Sequence, residues 1–151
     1  MSMSTTIVYG YGVDKGQLNK VETKVLVEFL KNHLPKEYER MMEYLSEYTD
    51  NPSDTDYEGW LDDCSCDISG IEGKYALIST VMYKETDIRF EYHCSSENRE
   101  YAVMMVASMP WEFNKVEYAC TQGDIDELFK KYFTELGVEV KPSRVSVEYF
   151  D

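Results

Sequence analysis

Long apolar runs are missing from this chain of 151 residues. The longest, Ala102 to Ala107, falls far short of the roughly 20 residues that a membrane-spanning helix needs. The opening residues, Met1-Ser-Met-Ser-Thr-Thr, carry neither a basic stretch nor an apolar one and predict no export signal. Four cysteines, Cys64, Cys66, Cys94 and Cys120, would allow disulfides, but nothing in the chain calls for them. Reduced thiols in a cytoplasmic protein are therefore expected. Basic residues are scarce, with 15 Lys and Arg against 29 Asp and Glu and a net charge of −14. That balance disfavours direct nucleic-acid binding and anionic membranes, because phosphate would be repelled over most of the surface. What is present, 43% hydrophobic residues, is ordinary for a globular chain and suits one domain over 1–151.

Hydrophobic spacing predicts an α+β fold. Thr5 to Tyr11 reads as a strand. Asn19 and Glu22 have capping-box spacing before a helix carrying Val25, Leu26, Phe29 and Leu30. Leu34-Pro35 ends that helix and opens a second, with Tyr38, Met41, Met42, Leu45 and Tyr48 recurring at helical period. The two form an expected helical hairpin. Residues 49–72 are rich in Asp, Ser and Asn and read mostly as loop, with one short element near Trp60-Leu61. Tyr75 to Tyr83, Ile88 to Cys94, Tyr101 to Met109 and Lys115 to Cys120 read as strands. A third helix opens at Asp124 with Glu127 and ends at Gly137, and Val138 to Val140 and Val145 to Tyr149 close the chain as one bent strand or a hairpin around Pro142. The expected architecture is a single antiparallel sheet of about four to six strands, with the helical hairpin and the third helix against it.

The negative charge is not spread evenly. Met41 to Gly73 spans 33 residues without a single Lys or Arg and holds ten acids, so it carries −10 of the −14. Glu39, Glu43, Glu47 and Asp50 continue one helix face, opposite Met41 and Leu45. Neighbours at i+4 sit about 5–6 Å apart, below the ~8 Å Debye length at physiological salt, so their fields add. One carboxylate per 5–6 Å or so of axis approaches the one phosphate per roughly 3.4 Å of a DNA strand. Aromatic residues lie among the acids: Tyr44, Tyr48, Tyr57 and Trp60. With Asp54, Asp56, Glu58, Asp62 and Asp63 they form a candidate surface for a basic protein, since aromatic anchors ringed by carboxylates suit such an interface. Solubility alone accounts for net charge but not for its segregation.

Other chemistry is thinner. Asp54, Asp56, Glu58, Gly59, Leu61 and Asp62 resemble the first nine positions of an EF-hand loop. Glu at the fifth position and Ser65 at the closing one depart from it, so Asp54, Asp56, Glu58 and Asp62 are weak divalent-cation candidates. Cys64, Cys66, His93 and Cys94 number enough for zinc but match no standard spacing, and adjacent His-Cys on a strand diverge. Gly10-x-Gly12-x-x-x-Gly16 follows a strand and precedes a helix, yet no βαβ unit follows, so the glycines are expected at a sharp turn. His33 sits at a helix end and His93 beside Arg89 and Glu91, without a nucleophile placed near either. No catalytic residue or cofactor is expected. The residues suggest a small acidic binding or inhibitor protein. By charge logic it would act as a nucleic-acid mimic of the anti-CRISPR or toxin-immunity type against a basic nuclease or other nucleic-acid-binding protein. A small enzyme or ligand-binding domain with its site on the sheet, near Arg89, Tyr92 and His93, is the alternative. A divalent-cation-binding accessory protein is a further one.

Overall fold

A computed structural model describes residues 5–69, 73–95 and 99–150, without the side chains of 64–69, 110 and 150. The strands are β1 (Thr5–Asp14), β2 (Phe90–Ser95), β3 (Glu100–Val106) and β4 (Ser143–Phe150). The helices are α1 (Lys15–Leu18), α2 (Thr23–His33), α3 (Pro35–Ser46), α4 (Asp54–Ser69), α5 (Ala76–Thr86), α6 (Lys115–Ala119) and α7 (Gln122–Glu135). The sheet order is β2-β3-β1-β4 and every pairing is antiparallel, which makes the fold α+β with one four-stranded sheet. Among the described residues no helix is long and apolar enough to cross a membrane.

One face of the sheet carries Val13, Phe90, Tyr92 and Val103, which pack with Leu26, Phe29, Leu30, Met41, Ile78, Phe129 and Phe133 from the helices. The other face carries Ala102, Met104 and Val147, with Val8, Val106, Val145 and Tyr149 around them. Met104 and Val147 are fully buried there. The sheet achieves this by curling: β2 and β4 approach each other although two strands separate them in sheet order. The Tyr149 hydroxyl bridges the two, accepting from the Cys94 N–H at 3.1 Å and lying 3.0 Å from His93 Nδ1. Gly10 and Gly12 permit the curl. A Cβ on Gly12 would stand 2.0 Å from the Val103 carbonyl oxygen, and one on Gly10 2.7 Å from that of Met105. These glycines lie within β1 rather than at the expected turn, and close strand approach is what requires them.

Four further expectations are corrected. Residues 75–83 are not a strand but lie almost wholly in α5, whose Ala76, Leu77, Ile78, Val81 and Met82 are all buried. An apolar segment buried on every side shows no period, so strand and central helix look alike in sequence. Residues 115–119 are α6 rather than a strand, opened by a reciprocal capping box between Asn114 and Glu117. The expected 49–72 loop is largely α4, whose N-terminus is closed by Ser53 and Asp56: the Ser53 N–H donates to Asp56 Oδ2 at 2.9 Å. Residues 70–72 lie outside the described residues. Asn19 does not cap α2. It ends α1 and accepts a hydrogen bond from the Tyr101 hydroxyl.

α7 starts one turn earlier than Asp124 suggests, with Thr121 and Asp124 as its capping box. Its end is as expected. Gly137 has φ +77°, its N–H donates to Thr134 O, and Val138 N–H donates to Phe133 O, a Schellman ending.

Candidate functional site

α3 owes its start to Pro35, whose missing N–H is tolerated in a first turn, and its position to Met41 and Leu45, which are buried against the core. That anchoring turns Glu39, Glu43 and Glu47 outward, and all three are exposed, as is Asp50 in the following turn. Among the described residues none of these four is ion-paired; the one pair on α3 is Arg40 with Glu37 at 2.8 Å. Tyr44 and Tyr48 stand on the same outer side, 49% and 71% exposed, with ring centroids 5.2 Å apart. Two large aromatic rings held in water beside unpaired carboxylates are the most distinctive surface feature of this helix.

The electrostatics of this face are unfavourable to the isolated fold. No basic residue occupies the last turn of α3, while Glu43 and Glu47 crowd the end where helix carbonyls already concentrate negative charge. Each such acid costs about 0.3–1 kcal/mol, and each i,i+4 pair of like charge a few tenths more.

The remaining candidates separate from this group. Trp60 is 5% exposed and belongs to the core, so it is not a surface anchor. Tyr57 is half-buried against that core, and burial pushes its hydroxyl above the usual tyrosine range. Asp56 closes α4. Glu58 accepts from the Thr23 hydroxyl at 2.6 Å and lies 3.8 Å from Lys74 Nζ, while Asp62 accepts from the Lys74 N–H at 3.2 Å. Asp54 and Asp63 remain exposed without such work.

Cation chemistry is not assembled. On α4 Asp54, Glu58 and Asp62 recur at i, i+4 and i+8 along about 12 Å of axis, while Asp56, two residues from Asp54 and Glu58, is turned about 200° away, so the four do not wrap one ion. Among the described residues no three His, Cys, Asp or Glu side chains gather as metal ligands. The side chains of Cys64 and Cys66 lie outside the described residues. His93 is held by Tyr149 and has Nε2 3.3 Å from Glu91 Oε1, without hydrogen-bond alignment.

The alternative sheet site is not brought together either. Tyr92 is buried beneath the helices, His93 faces the opposite side, and Arg89 is bound to Glu117. A different cleft was not anticipated, one of about 410 Å³ between Tyr9 and Tyr11 of β1, Arg144 of β4 and the start of α7. No sequence motif marks it, because its walls come from segments more than a hundred residues apart.

No protein-family model, curated protein or solved structure matches this chain. The functional reading therefore rests on its own surface.

Proposed function

We propose that the protein is a binding or inhibitory module whose α3 face, Glu39, Glu43, Tyr44, Glu47, Tyr48 and Asp50, engages a basic surface of a nucleic-acid-binding protein. The observation that supports this most is the exposed Tyr44–Tyr48 pair set among carboxylates that form no ion pair among the described residues. A solvated face needs neither exposed rings nor a run of acids at the wrong end of a helix. Natural chains keep such locally unfavourable choices where function requires them. Carboxylates at this spacing offer a basic groove nearly the charge density of nucleic acid, and the tyrosine rings supply the apolar contact that fixes register. An inhibitor acting by occupying such a groove needs no catalytic residue, cofactor or metal.

Capture from a lysate of nuclease or other nucleic-acid-binding proteins, eluted by a salt gradient and by heparin as competitor, tests the reading. Wild-type protein should retain basic nucleic-acid-binding proteins that heparin displaces. The Glu39→Lys, Glu43→Lys, Glu47→Lys, Asp50→Lys variant should lose them, and Tyr44→Ala with Tyr48→Ala should weaken them by about tenfold or more. Capture that is unchanged in both variants, with the fold intact by circular dichroism, would overturn it.

A further inference from the structure

The cleft beside β1 has the properties of a ligand site. Its floor is the sheet where β1 runs past the helices. Tyr11 lies opposite both Met105 and Arg144 in register, so these three side chains share one face, and Tyr9 follows two residues earlier on the same side. Its wall is Cys120, Thr121, Gln122 and Ile125, with Phe113 closing one end. The volume of about 410 Å³ is within the range of small-molecule sites.

Ala107 and Phe113 both line this cleft. The intervening segment holds Met109 and Trp111 out in solvent, Trp111 at 78% exposure, and Tyr9 is 58% exposed. Large apolar groups are thus left in water around a concavity that is itself mainly apolar.

Two polar features decide the class of ligand. The Tyr11 hydroxyl is already committed: it donates to Asp126 Oδ1 at 2.5 Å. That bond holds the Asp126 carboxylate to one side and leaves the tyrosine ring as an apolar surface. Arg144 differs. It is exposed, and among the described residues no carboxylate lies within ion-pair distance of it. In a chain with 29 acidic residues, a guanidinium beside an aromatic cleft and without a carboxylate is a vacant recognition group. Its planar fork matches a carboxylate in two parallel hydrogen bonds.

We propose that this cleft binds a small planar aromatic acid, its ring between Tyr9, Phe113 and Ile125 and its carboxylate on the Arg144 guanidinium. The site is on the sheet and first turn of α7, so it is independent of the α3 face. The apolar lining supplies affinity, and Arg144 selects the charge.

The test uses 2-naphthoate and its neutral amide, 2-naphthamide, titrated into the whole protein and followed by calorimetry and by amide chemical shifts. Naphthoate should bind saturably at one site and shift the amides of Tyr9, Gln122 and Arg144. Arg144→Gln should weaken naphthoate by about tenfold while changing naphthamide less than about twofold. Ala107→Trp, placed at an exposed lining position, should abolish binding of both while the thermal melt is kept. Absence of saturable naphthoate binding at about 1 mM overturns the proposal. Equal losses of the two probes in Arg144→Gln, or full binding by Ala107→Trp, overturn it as well.

Discussion

The Nε of Arg89 lies 3.0 Å from each carboxylate oxygen of Glu117, and the Arg89 backbone N–H donates to the same carboxylate at 2.9 Å. Glu117 is 3% exposed and also accepts from the Asn114 N–H. One side chain thus closes the N-terminus of α6 and ties it to the entry of β2. Burial raises the Glu117 pKa, but the Arg89 and backbone donors outweigh it and leave the carboxyl below its usual range. Replacing Glu117 with Ala should cost about 2–3 kcal/mol, since it strands buried N–H groups and the guanidinium. Urea unfolding measures this, and a loss below about 0.5 kcal/mol would contradict the assignment.

His33 joins three helices. Its Nδ1 lies 2.5 Å from Glu85 on α5 and its Nε2 2.7 Å from Glu135 on α7; the Tyr132 hydroxyl donates to Glu85 as well. Only the imidazolium can donate from both nitrogens. Desolvation lowers the His33 pKa, but the two carboxylates outweigh it and raise it overall, whereas Glu85 is lowered by Tyr132 and His33 against its own desolvation. The signs follow. The His33 contribution is complete below about pH 6.5 and fades as pH rises through the folded value; that of Glu85 is present above about pH 4.5 and fades as pH falls through its depressed value. Stability should peak in between, and His33→Gln should remove about 1–2 kcal/mol at pH 6 and flatten the alkaline side of the curve. Thermal melts from pH 4 to 9 check it.

Gly12→Ala should be far more damaging than its size suggests. The added carbon meets backbone rather than a movable side chain, so β1 and β3 must separate. A loss of about 3 kcal/mol or more, or failure to fold, is expected. A tolerated Gly12→Ala would mean that close strand approach is not what the position demands.

Gly59→Ala should do the opposite. Gly59 is an exposed position inside α4, and nothing lies within 4 Å of a Cβ there. Removing the backbone entropy of glycine should stabilise by about 0.5–1 kcal/mol, read as an increase in the urea midpoint.

Neutralising the α3 face should trade binding for stability. Glu43→Gln with Glu47→Gln removes like-charge repulsion and an unfavourable interaction with the helix end. The fold should gain about 0.5–1 kcal/mol at low salt, with the gain shrinking at 1 M salt. A double variant less stable than wild type would show that these acids make a contact within the protein.

The elements legible in the sequence are those with an unambiguous period or cap. The β2 strand alternates, Leu34-Pro35 separates α2 from α3, and Gly137 ends α7. α6 reads wrongly as a strand: Asn114 and Glu117 have capping-box spacing, but the segment has too few apolar residues to show a helical period. α4 carried Tyr57, Trp60 and Leu61 at helical spacing, masked by the Asp and Ser content that ordinarily marks a loop. Of the acidic candidates, Glu39 and Glu43 lie on the exposed side of α3 as expected, but the helix ends at Ser46, so Glu47 caps it and Asp50 lies in the turn beyond. Sequence had no means to show that Trp60 is buried or that Glu58 and Asp62 bind Thr23 and Lys74.

Composition and spacing alone therefore determined where the charge lies and that the residues of α3 divide into an apolar and an acidic side, because both are properties of neighbours within a few turns. Tertiary structure decided whether residues 75–83 become strand or helix, which acids stay in water, and that Tyr11, Asp126 and Arg144 meet at one cleft. Those outcomes depend on what packs against each segment from far along the chain, and local periodicity contains no record of it.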